Sequence, residues 1–404
     1  MITFPFVTKV LEITQPMGTF YVAVIPAEVL LETAFSDRLS ATLNPAGTGY
    51  DLTGTQRLAQ PKRMQPIADF INRYDSVFPN SIIVAANFRE EDGLIEQEED
   101  DQGNLSEVRW TIEADKEGNQ TLTIPSDKKL AAIIDGQHRL FAFAQASTER
   151  LGMSLLCSIF IDLPKPYQAQ IFATINSTQK PVDRSLTYEL FGYNIEEEKE
   201  FFWSPDKLAV YLTRRLSIEE KSPLRGRVVI SPKKDNRIEL LSKDKNWRVS
   251  TAVIVDGIIK LISSNPKKDI THLLDKERKT RLEISGLRND NSPLRKAYLN
   301  NEDLIIYTMV LNYLKAAEST FWKDCKPDSF IIRTVGIHAT LDILKKLALE
   351  SYNSKNISED YFIKKLEPAK AIDFSEDVYK NSSGSGRSII RRAIEKELGI
   401  DVKK

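Results

Sequence analysis

Asp135-Gly136-Gln137-His138-Arg139 places a carboxylate, a glycine, an amide, an imidazole and a guanidinium on one short segment. The segment follows the apolar run Leu130 to Ile134 and precedes Leu140 to Ala146, a pattern that predicts a buried strand, a sharp polar turn and a helix. A glycine at that junction lets the backbone approach a ligand, and the first N–H groups of a helix attract anions. With His138 and Arg139 beside them, the chemistry suggested is phosphate binding or phosphoryl transfer. The alternative is a plain helix start, with Asp135 as its cap and His138 and Arg139 in solvent.

Two further polar segments, Gly54-Thr55-Gln56-Arg57 and Asn176-Ser177-Thr178-Gln179-Lys180, lie beside predicted strand or helix ends. Ligands in α/β structures collect at such ends, so all three segments are expected to share one concave site. Arg57, Arg139 and Lys180 would then balance phosphate charge, arginine through its planar fork and lysine as a mobile point charge. His138 is the candidate acid, base or phosphate donor. Asp135 has three open roles: magnesium ligand, orienter of His138, or helix cap. Asn176 and Gln179 would orient a nucleotide or a water. The expected catalytic residues are Asp135, His138 and Arg139. The expected nucleotide-binding residues are Gly54, Gln56, Arg57, Gly136, Gln137, Asn176, Ser177, Gln179 and Lys180. No metal-ligand cluster is expected, and His272 and His338 sit in ordinary helical contexts.

Around these segments the pattern predicts a strand over Phe20 to Ile25, a short helix from Pro26 and a polar loop over Thr48 to Gln60. A helix over Lys62 to Tyr74 and a strand over Ser81 to Ala85 follow. Val108 to Ala114 and Gln120 to Pro125 flank a turn and predict a hairpin. Leu155 to Asp162 predicts a strand and Pro166 to Thr174 a helix. Neither a Rossmann fingerprint nor a Walker A loop is present. From about Asp183 long helical segments dominate. The expected class is α+β, with an α/β core over 1–190 that carries an acidic hairpin insertion near 90–120, and a mainly helical region over 191–404.

The 404 residues suffice for two or three domains with a sizeable core. The two cysteines, Cys157 and Cys325, form neither a zinc pattern nor a redox pair, which fits a reducing, cytoplasmic setting. No signal peptide or membrane span is expected. The net charge is -1, so no broad nucleic-acid-binding field surrounds the whole molecule. Charge is nonetheless uneven. Glu90 to Asp101 holds eight acidic residues and no basic one, most simply a solvated loop. Lys221 to Arg248 holds nine Lys or Arg against three acids, and Lys260 to Lys296 ten against five. Both are candidate surfaces for a nucleic-acid backbone, or charged loop faces. Asn381-Ser382-Ser383-Gly384-Ser385-Gly386-Arg387, ahead of a helix over Ser388 to Glu397, is either an anion nest or a flexible linker.

At Asp135 to Arg139 the chain resembles the DGQHR-domain family, whose named members include the DNA phosphorothioation protein DndB and DpdB of 7-deazaguanine DNA-modification systems. The resemblance extends through Gly54 to Arg57, Phe78 to Ile82, Ile134 to Arg139 and Phe172 to Leu186. It implies a core like that of ParB and sulfiredoxin. Gly136-Gln137-His138-Arg139 is similar to the GERR-type phosphate motif of ParB-like proteins, with Gln for Glu and His for the first Arg. Asn176 to Lys180 resembles their ENIQR-type motif, with Asn176 in place of the acid and Lys180 in place of Arg. Gln137 stands where sulfiredoxin has its cysteine, which argues against thiol repair.

What the resemblance implies is an ATP-binding and ATP-hydrolysing component of a bacterial DNA-modification or antiviral defence system, using ATP with Mg2+. CTP is an alternative nucleotide. Double-stranded DNA and a transglycosylase-like modification protein are the implied partners. Two alternatives are a DndB-like DNA-binding regulator and a ParB-like nuclease. The first has no clear helix-turn-helix behind it, and the second lacks paired carboxylates.

Overall fold

The computed structural model describes residues 2–37, 40–43, 50–53, 61–89, 93–95, 109–177, 182–191, 195, 198–229 and 247–400. The fold is α+β, as expected. The chain divides into two compact units, residues 1–180 and 181–404. No helix among the described residues is long and apolar enough to cross a membrane. Both cysteines are free.

The first unit begins with the hairpin β1 (Phe6–Gln15) and β2 (Gly18–Pro26), followed by α1 (Ala27–Thr33) and β3 (Ala34–Phe35). β4 (Ser40–Leu43) and β5 (Tyr50–Thr53) form a separate ribbon ahead of α2 (Pro61–Ile71). Then come β6 (Ile82–Ala86), β7 (Phe88–Arg89), β8 (Gly93–Leu94), β9 (Thr111–Ala114), β10 (Gln120–Ile124) and β11 (Ala131–Asp135). α3 (Gln137–Ala142), β12 (Ser154–Ile161) and α4 (Lys165–Ser177) complete the unit.

Eight of these strands make one mixed sheet, ordered β3-β11-β6-β12-β2-β1-β10-β9. β11 runs parallel to β3 and antiparallel to β6, and β12 runs parallel to β6. The strand period of two sorts the apolar residues between faces. Ile82, Val84, Ala131 and Ile133 share a core with Leu30 of α1, Ala68 and Ile71 of α2, and Leu140 of α3. Ala85, Ala132 and Ile134 belong to a second cluster, closed by Ile171 and Phe172 of α4. Burying each large aliphatic side chain contributes about 1.5–3 kcal/mol, so both layers hold β11 in register.

Two departures from the sequence pattern concern this sheet. β1 is its longest strand, although Phe6 to Gln15 alternates only weakly and alone suggests no element. Its pairing with β2 and β10 organises it. Tyr50–Thr53, expected as polar loop, is a strand because β4 offers it an antiparallel ladder. The acidic run lies outside the described residues except for Gly93 to Ile95.

The second unit comprises α5 (Arg184–Phe191), α6 (Pro205–Ile218), the parallel pair β13 (Val228–Val229) and β14 (Val249–Ser250), and α7 (Thr251–Ile262). It continues with α8 (Pro266–Leu273), α9 (Arg295–Leu299), α10 (Asp303–Ala317), α11 (Thr334–Asn353), α12 (Glu359–Leu366) and α13 (Gly384–Glu397). Gly257 permits α7 to approach α11 closely, since a Cβ there would lie 2.5 Å from Leu341 Cδ1. The Ser/Gly segment before Ser388 is partly helical: α13 begins at Gly384. Asn381 Oδ1 accepts from the Ser383 backbone N–H, and Asn381 Nδ2 donates to Ser385 Oγ. Those local bonds anchor the segment rather than leaving it a free linker.

Candidate functional site

The Asp135–Arg139 turn is set by the sheet. The β11–β6 register shifts between Ile133 and Asp135, a bulge that inserts one extra residue and re-aims the strand end. Gly136 then adopts φ +98°, a left-handed conformation. A Cβ on Gly136 would stand 2.6 Å from Ile82 Cδ1 and 3.2 Å from Arg139 Nη2. Backbone sign and space therefore both require glycine. α3 is only six residues long, so its dipole contributes little and side chains must supply the electrostatics.

Arg139 does so from a fixed position. Its Nη1 donates to the Asn80 carbonyl at 2.7 Å and its Nη2 to Asp135 Oδ2 at 2.9 Å. Asn80 reaches this edge because β6 runs antiparallel to β11 and starts where β11 ends. Asp135 is thus the partner of Arg139. It caps no helix, since Gly136 occupies that position without a side-chain cap bond. Charge-assisted bonds of this kind are worth about 1.5–3 kcal/mol each, so the guanidinium is pre-oriented.

His138 is half-buried on the same turn. Burial, reinforced by the Arg63 cation of α2, lowers its imidazole below the ordinary histidine range. At neutral pH it is therefore an uncharged ring, suited to taking a proton rather than to balancing phosphate charge. Gln137 is buried, and its Oε1 accepts from Ser36 Oγ at 2.7 Å. That bond ties the turn to the residue after β3. Next to it, buried Asp37 pairs with Lys165 Nζ at 3.5 Å, linking the same edge to the start of α4.

The other expected residues are only partly described. Gly54, Gln56, Arg57, Gln179 and Lys180, and with them the convergence of the three segments, lie outside the described residues. Asn176 and Ser177 belong to α4, which extends past the predicted end at Thr174. The Asn176 amide donates to the Phe172 carbonyl at 2.9 Å within its own helix. Residues that sequence reasoning missed are Ser36, Asp37, Arg63 and Lys165. Nothing in their local pattern marks them; only Asn80 lies in a quoted segment, Phe78 to Ile82.

In the second unit the described part of the two basic stretches is partly turned inward. Lys233 and Lys234 lie outside the described residues, and Arg227 is buried, its guanidinium 4.5 Å from the Trp247 ring. In the second stretch Arg281 is wholly buried and bonds Asp303 Oδ1 at 2.6 Å. Arg295 grips buried Asp269 with both nitrogens, at 2.6 and 2.9 Å, and Arg288 bonds the same carboxylate at 3.0 Å. Arg278 pairs with Glu198, and Lys279 with Asp275. Among the described residues of these stretches, Arg278, Lys279, Arg281, Arg288 and Arg295 are thus paired with acids. At the scale of the units the asymmetry is nonetheless real. Residues 1–180 hold 15 Lys and Arg against 23 Asp and Glu, whereas residues 181–404 hold 41 against 34.

Residues 8–201 match the DndB family model, described as DNA-sulfur modification-associated. The match supports a DNA-modification family and takes in the whole eight-stranded sheet except the first two residues of β1, together with the Asp135–Arg139 turn. No curated protein and no solved structure matches the chain.

Proposed function

We propose that the chain is a component of a DNA-modification system whose first unit binds a nucleoside triphosphate at the Asp135–Arg139 turn. One observation supports this above others: Arg139 is pre-oriented by Asn80 and Asp135, with His138 on the same turn and the Arg63 charge beside it, inside the family-matched segment. Arg139 and Arg63 would receive the phosphate oxygens. ATP is the nucleotide implied by the family resemblance, and CTP is the alternative. For hydrolysis, neutral His138 would take the proton of an attacking water, while Arg139 stabilises charge developing on the phosphoryl oxygens. Mg2+ fits only as an ion held chiefly by phosphate oxygens and water. Asp135 already accepts from Arg139, and among the described residues no three His, Cys, Asp or Glu gather. Such an ion would screen phosphate charge.

The test is calorimetric titration with ATP and CTP, paired with initial hydrolysis rates with and without duplex DNA. Binding by the wild type that collapses in folded Arg139→Ala is the expected result. Absence of binding to either triphosphate would remove the nucleotide role. The second reading is a DNA-binding regulator that needs no turnover. The match to the DndB family is consistent with it, and the engagement of Gln137 and Arg139 in structural bonds favours it. It predicts duplex affinity indifferent to nucleotide and to His138→Ala. A transglycosylase-like partner would show as co-purification from the native host.

A further inference from the structure

The helical unit carries a net charge of +7, and among its described cations Arg278, Lys279, Arg281, Arg288 and Arg295 are paired with acids. A separate group of cations lies on four helices of this unit. α5, α7, α11 and α13 are tied by ion pairs along one solvent-facing band. Arg184 Nη2 bonds Asp256 at 2.9 Å, Lys260 Nζ lies 3.5 Å from Asp342, and Arg387 grips Asp342 at 2.5 and 2.6 Å. These three cations share two carboxylates, so the anchored row is itself positive. On α11, His338, Asp342, Lys345, Lys346 and Leu349 share the exposed helical face by their three- and four-residue spacing. On α13, Arg392 and Lys396 are exposed. Lys345, Arg392 and Lys396 form no ion pair among the described residues. The opposing acid Glu395 is buried against Arg391 and Lys346, and Glu350 is held by Lys365. Exposed Glu397 is the one acid of α13 outside these pairs.

We propose that this band of α11 and α13, flanked by α5 and α7, is where the chain holds the phosphate backbone of duplex DNA. The proposal rests on the DNA-modification reading and deepens it by locating the partner. A polyanion fits better than a single phosphate. The cations are spread over two helices of 20 and 14 residues, instead of converging on one point. Rigid ion pairs beneath hold the helices, while unpaired lysines and an arginine above remain available to displace counterions.

The experiment is a fluorescence-polarisation salt series on a labelled duplex with the full chain. It compares the wild type, Lys345→Ala/Arg392→Ala/Lys396→Ala, and the control Lys267→Ala/Lys276→Ala/Lys296→Ala. Among the described residues Lys345, Arg392 and Lys396 are exposed and form no ion pair, and thermal unfolding is the check that both variants fold. A Lys345→Gln/Arg392→Gln/Lys396→Gln version provides a second, bulk-preserving test. The expected result is a loss of roughly tenfold or more at low salt, with the log–log salt slope reduced by about 2–3, for the α11/α13 variants only. Unchanged affinity and slope in those variants, or an equal loss in the control, would overturn the surface while leaving DNA binding intact. A wild type that binds no duplex at any salt would overturn the DNA partnership as well as its location.

Discussion

Gly136→Ala tests whether the turn is held by backbone sign and close packing together. Alanine at φ +98° pays the left-handed penalty of about 1–2 kcal/mol. Its Cβ would also sit 2.6 Å from Ile82 Cδ1, and Ile82 is buried in the sheet core, so the contact adds an overpacking cost of about 1–3 kcal/mol. The substitution should therefore cost about 2–4 kcal/mol, allowing for partial relaxation. The two contributions separate in a double-mutant cycle. Ile82→Val alone removes Cδ1 and should cost about 0.5–1.5 kcal/mol. In the Gly136→Ala background it removes the clashing atom, so the combined loss should fall short of additivity by at least about 0.5 kcal/mol. Urea unfolding followed by circular dichroism gives the totals. Hydrogen exchange of the β11 and α3 amides assigns the loss to the first unit. The same cycle should weaken triphosphate binding, because the new Cβ also presses to 3.2 Å from Arg139 Nη2. A Gly136→Ala protein within 0.5 kcal/mol of wild type, or strict additivity with Ile82→Val, would refute this account of the turn.

Arg139→Ala should weaken triphosphate binding by about 1.5–3 kcal/mol per lost charge-assisted bond, read by calorimetry, whereas His138→Ala should lower the hydrolysis rate more than the affinity. Asp269→Ala should destabilise the second unit by about 3–5 kcal/mol in urea, because it strands buried Arg295. Stability should fall with acidification below the ordinary histidine range. Burial lowers His138, His272 and His338 in the fold, so the unfolded chain binds protons first; their contribution is complete above about 6.5 and is lost as pH falls through the folded values. Buried Asp206, pushed up to about 6, opposes that loss, so the clean measurement is the difference between wild type and His338→Gln in urea at pH 7.5 and 5.5. The variant should lose less stability on acidification; an equal loss would show that His338 takes no part.

Strand, glycine turn and helix at Asp135 to Arg139 were all legible from local sequence, because apolar period and glycine's tolerance of positive φ act within a few residues. So were α2, β6, β12, most of the helices of the second unit and the α+β class. What the turn is bonded to was not. Asn80 is 59 residues from Arg139, and Ser36 is 101 residues from Gln137. Those partners meet only because β3 and β6 flank β11 with a defined register and bulge, and register is a property of the assembled sheet. β1 shows the same limit, since its order comes from neighbours on both sides rather than from its own pattern. The basic stretches show it for charge. Sequence counts cations but does not reveal which are turned inward, and desolvating Arg281 or Arg295 is tolerable only with Asp303 or Asp269 already in place. Sequence alone determined which residues could do phosphate chemistry. Only the tertiary structure decided that Arg139 is held by Asn80 and Asp135, that Gln137 is built into the fold, and that Lys345, Arg392 and Lys396 stand exposed on α11 and α13.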